Sequence, residues 1–300
     1  MTGGAATGAG LALRRVAHRC HDEDSPLAAH PLLRPYLTDL AATHGLALRE
    51  EALGTGQAYV ELAAPVVDAV TSADEPMDLL VLAYGVPDVQ PGRNLALRIA
   101  DRCPGDPLAF AICDQGPAAA FTALRLIAEY ARTGTSTRAL LVVAEQSVVP
   151  YPLTAPAPVP DRHAAVALLF ESDPSPVEVR GHPALPPEAV GAVLAADIAE
   201  LTGARDGVTL VLGSGVDSAR DARDASVSDV LRAVPGLPYT GLLARLADGE
   251  PGRLLVLADY DPTLGYLCVA ALEPQLRPTD FAATGSPGTG GGVAHMAVKD

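Results

Sequence analysis

Over most of its length this chain alternates short unbroken apolar runs with stretches of helical spacing. YVELAAPVVDAV (59–70) has apolar residues three and four apart, DLLVLAY (78–84) is a continuous apolar run, and NLALRIADRC (94–103) returns to helical spacing. PLAFAI (107–112) is apolar again. Residues 117–132 then form an amphipathic pattern with Phe121, Leu124, Ile127 and Ala131 on one face and Gly134 as a stop signal. RALLVVAE (138–145) and, after the proline-rich VVPYPLTAPAPVP (148–160), AAVALLFE (164–171) complete a first series. Unbroken apolar strands separated by helices predict a mostly parallel sheet covered on both faces.

The rhythm repeats. A helix is expected over 187–203, a strand over 208–214, helices over 224–234 and 239–249, and strands over 253–259 and 265–272. Residues 1–56 yield one helix, in HPLLRPYLTDLAATHGLAL, and nothing else that can be placed. The pattern predicts an α/β protein of two similar halves, 1–172 and 173–275, followed by a Gly/Pro/Thr-rich flexible tail, 276–300.

Composition narrows the partners. With 300 residues, 49% of them hydrophobic, the chain can build a large core. A formal charge of −15 and a single lysine, Lys299, would repel a phosphate backbone, which argues against nucleic acid. No apolar run reaches the roughly 18 residues of a membrane span, and the N-terminal arginines follow the small residues, the reverse of a secretory signal. A cytoplasmic protein is expected. The four cysteines, Cys20, Cys103, Cys113 and Cys268, show no metal-ligand spacing and are read as reduced thiols, so no metal and no bound cofactor are expected.

One cysteine stands apart. In FAICDQGPAAAFTALRLIAEYARTG (110–134), Cys113 falls where an apolar run ends and a helical pattern begins. A thiol at such a turn faces unpaired N–H groups and a partial positive charge, which would ease loss of its proton and make it a nucleophile. The plainer reading is a small buried hydrophobe, and Cys20, Cys103 and Cys268 are assigned to it. GSGVDSARD (213–221) begins G-x-G but carries Ser218 where a dinucleotide fingerprint needs glycine. Asp259 and Asp261, flanking Tyr260, are read as a solvated turn before Pro262 rather than as a metal or catalytic pair.

The run DLLVLAYGVPD, the helix LALRIADRC and the stretch AFAICDQGPAAAFTALRLIAEYARTGTSTRALLVVAE resemble the first half of ketoacyl synthase III proteins of the thiolase superfamily. In that family a D-hydrophobic-T-x-x-P strand precedes a C-S-G that opens a long helix, and a strand ending V-V-x-A-E follows. The match covers about residues 59–172, and the second half only in outline. It implies a thiolase-like layered αβαβα fold, a dimer formed through the first half, and Cys113 as the acyl-accepting cysteine.

The departures change the expected chemistry. Condensing members carry a histidine in H-Q-A-N and an asparagine in G-N-T-S to stabilise the enolate left by decarboxylation. Here Gly213 or Ser214 falls at the first position and Leu237 or Pro238 at the second, and no histidine occurs between His182 and His295. Removing such a donor costs roughly 3 kcal/mol of transition-state stabilisation. The expectation is therefore an acyltransferase of a specialised polyketide or fatty-acyl pathway. It would load Cys113 from a CoA or acyl-carrier-protein thioester and transfer the acyl group without decarboxylative condensation, with His163, at the start of HAAVALLFE, as the base. One alternative is a non-catalytic subunit paired with an active ketosynthase-like chain, so that homodimer and heterodimer both stay open. The other is an α/β-hydrolase-like thioesterase, with Cys113 on its elbow.

Overall fold

The computed structural model describes residues 10–153, 157–174, 177–203, 205–223, 225–248 and 252–276. The expected tail, beyond residue 276, lies outside them. Two five-stranded sheets carry the fold. The first contains β1 (Gly10–His21), β2 (Met77–Ala83), β3 (Gly105–Ile112), β4 (Arg138–Glu145) and β5 (His163–Asp173) in the order β1-β5-β4-β2-β3. The second contains β6 (Glu178–His182), β7 (Thr209–Leu212), β8 (Asp229–Arg232), β9 (Leu255–Asp261) and β10 (Tyr266–Leu272) in the order β6-β10-β9-β7-β8. Strand for strand the two orders are the same. In each sheet the second, third and fourth strands are parallel and the fifth runs antiparallel between the fourth and the first.

The unbroken apolar runs are explained by cover on both faces. Alternate residues of β2, Leu80 and Leu82, pack outward against α2 (Tyr59–Val70) and α3 (Leu95–Ala100). Leu79, Val81 and Ala83 point the other way, to α4 (Ala118–Arg132) and α6 (Gly241–Ala244). The second sheet meets the same two helices through Val211, Leu255 and Leu257. Its outer face, with Leu210, Leu212 and Val256, is covered by α5 (Val190–Thr202). The layers are thus helix, sheet, helix, sheet, helix, as the resemblance implied. On α4 the anticipated stripe of Phe121, Leu124, Ile127 and Ala131 is at most 3% exposed. This two-sheet architecture rules out the α/β-hydrolase fold.

Local expectations fail where burial is one-sided or absent. The helix expected over 224–234 contains β8, an edge strand exposed at all four residues. The one expected over 239–249 is the single turn α6 followed by a 3-10 turn, Arg245–Asp248. β1 and β6 were not anticipated, and α1 (Leu33–Thr43) is the one helix read from the first 56 residues.

β4 ends in Glu145, which the inward alternation of Leu141 and Val143 carries into the space between the halves. Glu145 is fully buried, and its carboxylate accepts the backbone N–H groups of Tyr239 and Thr240, each at 3.0 Å, and the Thr240 hydroxyl. A strand end of the first half thereby fixes the loop that leads into α6 of the second. Glu145→Ala leaves those two N–H groups buried without acceptors and is expected to lower the unfolding free energy by about 3 kcal/mol, measured by urea denaturation; Glu145→Gln, which keeps one carbonyl acceptor, is expected to lose less.

Candidate active site

The strand-to-helix turn that follows β3 runs Cys113-Asp114-Gln115-Gly116, with α4 beginning at Ala118. Asp114 has φ 60° and Gly116 has φ 53°, so two left-handed residues reverse the chain within four positions. For an aspartate that conformation is uncommon, and strain of this kind concentrates at functional turns. Cys113 is half-buried, and its Sγ lies 3.0 Å from Asp114 Oδ2. Tyr84, the residue after β2, lies beside the same sulfur, and its hydroxyl favours the thiolate. The Tyr84 backbone N–H also bonds Ile112 O at 3.1 Å, which ties the ends of β2 and β3 together just before the thiol.

The expectation of an acidified thiol is overturned. Hydrogen bonding to Asp114 and partial burial push Cys113 above the usual thiol range, and only the Tyr84 hydroxyl opposes them. Two features remove the anticipated help from the helix. The first residue of α4 is five positions beyond Cys113, whereas a helix end acts mainly within its first turn. A carboxylate from the other half also reaches this turn: a Cβ placed on Gly116 would lie 2.4 Å from Asp261 Oδ2. Tyr84, beside the sulfur and Asp114, is pushed up to about 12, chiefly by burial.

His163 is not brought to Cys113. It opens β5, and β4 and β2 stand between β5 and β3, so three strand spacings, roughly 14 Å, separate the two. Its Nδ1 accepts the Ser147 N–H at 3.2 Å, it lies opposite His21 in the β1–β5 pair, and burial holds it below the usual imidazole range. Cys103 and Cys268 are core residues, Cys20 is half-buried on β1, and none of the four cysteines is in a disulfide. Among the described residues no cluster of His, Cys, Asp and Glu can hold a metal ion.

Asp259 and Asp261 prove to be buried, not solvated, at 3% and 8% exposure. They continue the inward alternation of Leu255 and Leu257 along β9 into the layer shared with α4. Asp259 Oδ1 accepts the N–H groups of Gly215 (3.0 Å) and Tyr260 (2.9 Å), and burial raises its carboxyl to about 7. Asp261 Oδ1 accepts the N–H groups of Thr263 and Leu264 in the following hairpin turn. The GSG triplet is explained here: a Cβ on Gly213 would sit 2.0 Å from Asp259 Cγ, and one on Gly215 would sit 1.7 Å from the Tyr260 carbonyl oxygen. The carboxyl of Asp259 fills the space that a side chain at 213 would enter.

A cavity of about 340 Å³ contains Gly213, Ser214, Leu237 and Pro238, the positions matched to the missing histidine and asparagine. Tyr239 follows the lining residues Leu237 and Pro238. Its ring packs so closely on Gly85 that a Cβ there would lie 2.1 Å from the ring, and its hydroxyl donates to Pro158 O at 2.8 Å. A second cavity, about 420 Å³, lies between α1 and the loops after β2 and β4. Cys113 lines neither.

Solved structures of similar architecture were found. Those of "AbyA1 - tetronic acid condensing enzyme" (TM-score 0.57, 15% identity), 3-oxoacyl-[acyl-carrier-protein] synthase III from Aquifex aeolicus VF5 (0.56, 13%) and ChlB3, described as "Aceyltransferase" (0.56, 17%), match 88–89% of this chain and 99–100% of theirs. The chain has the thiolase-like fold. No protein-family model and no curated protein matches it. Among the described residues no helix is long and apolar enough to cross a membrane.

Two measurements probe this site. Asp114→Asn removes the charge that raises the thiol while keeping a residue tolerant of positive φ, so alkylation of Cys113 by iodoacetamide at pH 8 is expected to be faster in the variant, read by mass spectrometry. Folded Asp259 keeps its proton up to about 7, whereas an ordinary aspartate loses it near 3.8. Across that interval the unfolded chain therefore binds fewer protons, and stability falls as pH rises through it. Glu145, raised by burial from 4.5 to about 7, acts in the same direction. Denaturation midpoints between pH 4 and 8 are expected to show this decline, and Asp259→Asn to remove part of its slope.

Proposed function

We propose that the chain handles acyl thioesters through Cys113: it accepts an acyl group from a CoA or carrier-protein thioester and passes it to a second nucleophile, without decarboxylative condensation. The observation that carries this reading is the presentation of the Cys113 sulfur. It is half-buried on a strained strand-to-helix turn, bonded to Asp114 and flanked by Tyr84, while the matched positions 213, 214, 237 and 238 supply no imidazole or carboxamide.

The exchange needs little machinery. The Cys113 proton leaves to Asp114, the sulfur attacks the thioester carbonyl, and the carbon–sulfur bond to the donor breaks. The proton then passes to the departing thiolate. One thioester replaces another, so the step is close to isoenergetic. The nearby Tyr84 hydroxyl favours the thiolate form of the sulfur. Asp114 replaces His163 as proton acceptor, because its Oδ2 is 3.0 Å from the sulfur while two strands separate His163 from it. No bound cofactor is required. A cytoplasmic setting and a specialised polyketide or fatty-acyl pathway belong to the same proposal.

A second reading, a non-catalytic subunit beside an active ketosynthase-like chain, is favoured by the raised thiol and by Asp259 filling the space at 213. Either role can use a dimer through the first half: β3 is the outermost strand of its sheet, and Leu108 on it is 52% exposed.

Intact mass after incubation with a series of acyl-CoA and acyl-carrier-protein thioesters at pH 8 is expected to show one acyl adduct that is absent in Cys113→Ala. Adduct formation should be faster at pH 9 than at pH 7, since the reactive form is the thiolate of a thiol held above its usual range. Absence of an adduct with every donor, together with co-purification of a ketosynthase-like chain, would replace this reading with the second.

A further inference from the structure

The loop from Val234 to Thr240 is held to the first half by one carboxyl and two neutral bonds. Glu145, at the end of β4, is fully buried and accepts the N–H groups of Tyr239 and Thr240, with the Thr240 hydroxyl against the same carboxyl. The Tyr239 hydroxyl donates to Pro158 O at 2.8 Å, and the Asp161 N–H bonds Gly236 O at 2.9 Å. Among the described residues no cation pairs with Glu145. The titratable groups that face it are neutral too. They are Cys20 on β1, in one row with Ala164 and Glu145 across the sheet, Tyr59 on α2, and Tyr239 on the loop itself, all held above their usual ranges by burial. β5 brings only Ala164 to that row, and α6 has no titratable residue.

A neutral carboxyl suits this niche. Its O–H can donate to Thr240 Oγ while its two oxygens accept the two N–H groups, so every partner is answered. An ionised carboxyl is left in the interior with three neutral donors and no cation, and a charge so placed gains by reaching water. We propose that Glu145 is a pH-operated clasp between the halves: its ionisation favours a state in which the 234–240 loop swings away from β4 and the carboxylate meets solvent. The loop supplies Val234, Pro235, Gly236, Leu237 and Pro238 to the wall of the cavity of about 340 Å³, so the clasp sets how wide that cavity stands. The device is independent of the Cys113 thioester reading. In the closed state the carboxyl keeps its proton up to about 7, whereas in water it loses it near 4.5. The closed state binds the proton more tightly, so opening grows as pH rises through that interval and levels off above it, the proton going to water.

Hydrogen–deuterium exchange of the full chain, followed by mass spectrometry from pH 5 to 8 and corrected for the pH dependence of intrinsic amide exchange, reads the clasp directly. The peptide that contains the Tyr239 and Thr240 amides is expected to exchange faster than peptides from β2 and β4. Between pH 5 and 8 it is expected to lose about tenfold or more of its protection. Glu145→Gln, which cannot ionise, is expected to abolish that slope, and Asp259→Asn to keep it. Should Glu145→Gln not fold, Thr240→Ala serves in its place: it removes the hydroxyl that takes the proton of the neutral carboxyl, and is expected to lower protection at pH 5 towards its pH 8 value. Exchange at 239 and 240 no faster than in β2 and β4, protection there that does not change with pH, a slope unchanged in Glu145→Gln, or undiminished protection at pH 5 in Thr240→Ala overturns the proposal.

Discussion

The buried carboxylate of Glu145, bonded to the Tyr239 and Thr240 N–H groups, is the contact on which the inter-half geometry depends. Each half has its own sheet and its own outer helices, and apolar packing on α4 sets their separation without fixing how one slides over the other. Hydrogen bonds are directional where apolar contacts are not. Three donors converging on one carboxyl therefore fix the loop before α6, and with it the place of the Tyr239 ring against Gly85 and of the cavity behind it.

Around that joint the site is rich in acids and poor in bases. Asp114 holds the thiol up, Asp261 reaches the turn at Gly116, and Asp259 fills the space at Gly213. The first makes a thiolate harder to form, a cost that thioester exchange shares; the second lowers positive potential at the turn; the third leaves no room for an imidazole at 213. The same arrangement is compatible with thioester exchange, which needs a sulfur, a proton acceptor and no enolate.

Much of the fold was legible because strands covered on both faces lose their polar positions. DLLVLAY, RALLVVAE and AAVALLFE could be read as buried strands without knowing their partners. β8 was not legible: DASVSDVLRAV has helical spacing, but in the fold DVLR is an exposed edge strand, so tertiary pairing overrode local pattern. β1, in GLALRRVAHRCH, is buried only at Leu11, Ala12 and Leu13 and half-buried or exposed elsewhere, so it carries no unbroken apolar run. At the site, the placement of Cys113 after an apolar run was readable. The separation of His163 from it was not, since the strand order β1-β5-β4-β2-β3, which places β4 and β2 between them, is not written in the local pattern. The burial of Asp259 and Asp261 had one local signal, the glycines at 213 and 215 with room for a neighbour, but their partner strand lies more than 40 residues away, as the Gly215–Asp259 bond records.

The fit between Gly213 and Asp259 also bears on how this chain can change. A histidine introduced at 213 would collide with the carboxyl, and an alanine at 259 alone would leave a void with two unanswered amides and no imidazole. Neither single replacement gives both an imidazole at 213 and satisfied amides, so the two positions can be exchanged only together. Interlocked residues of this kind couple distant parts of the chain: the side chain allowed at 213 is set by the one at 259, 46 positions on.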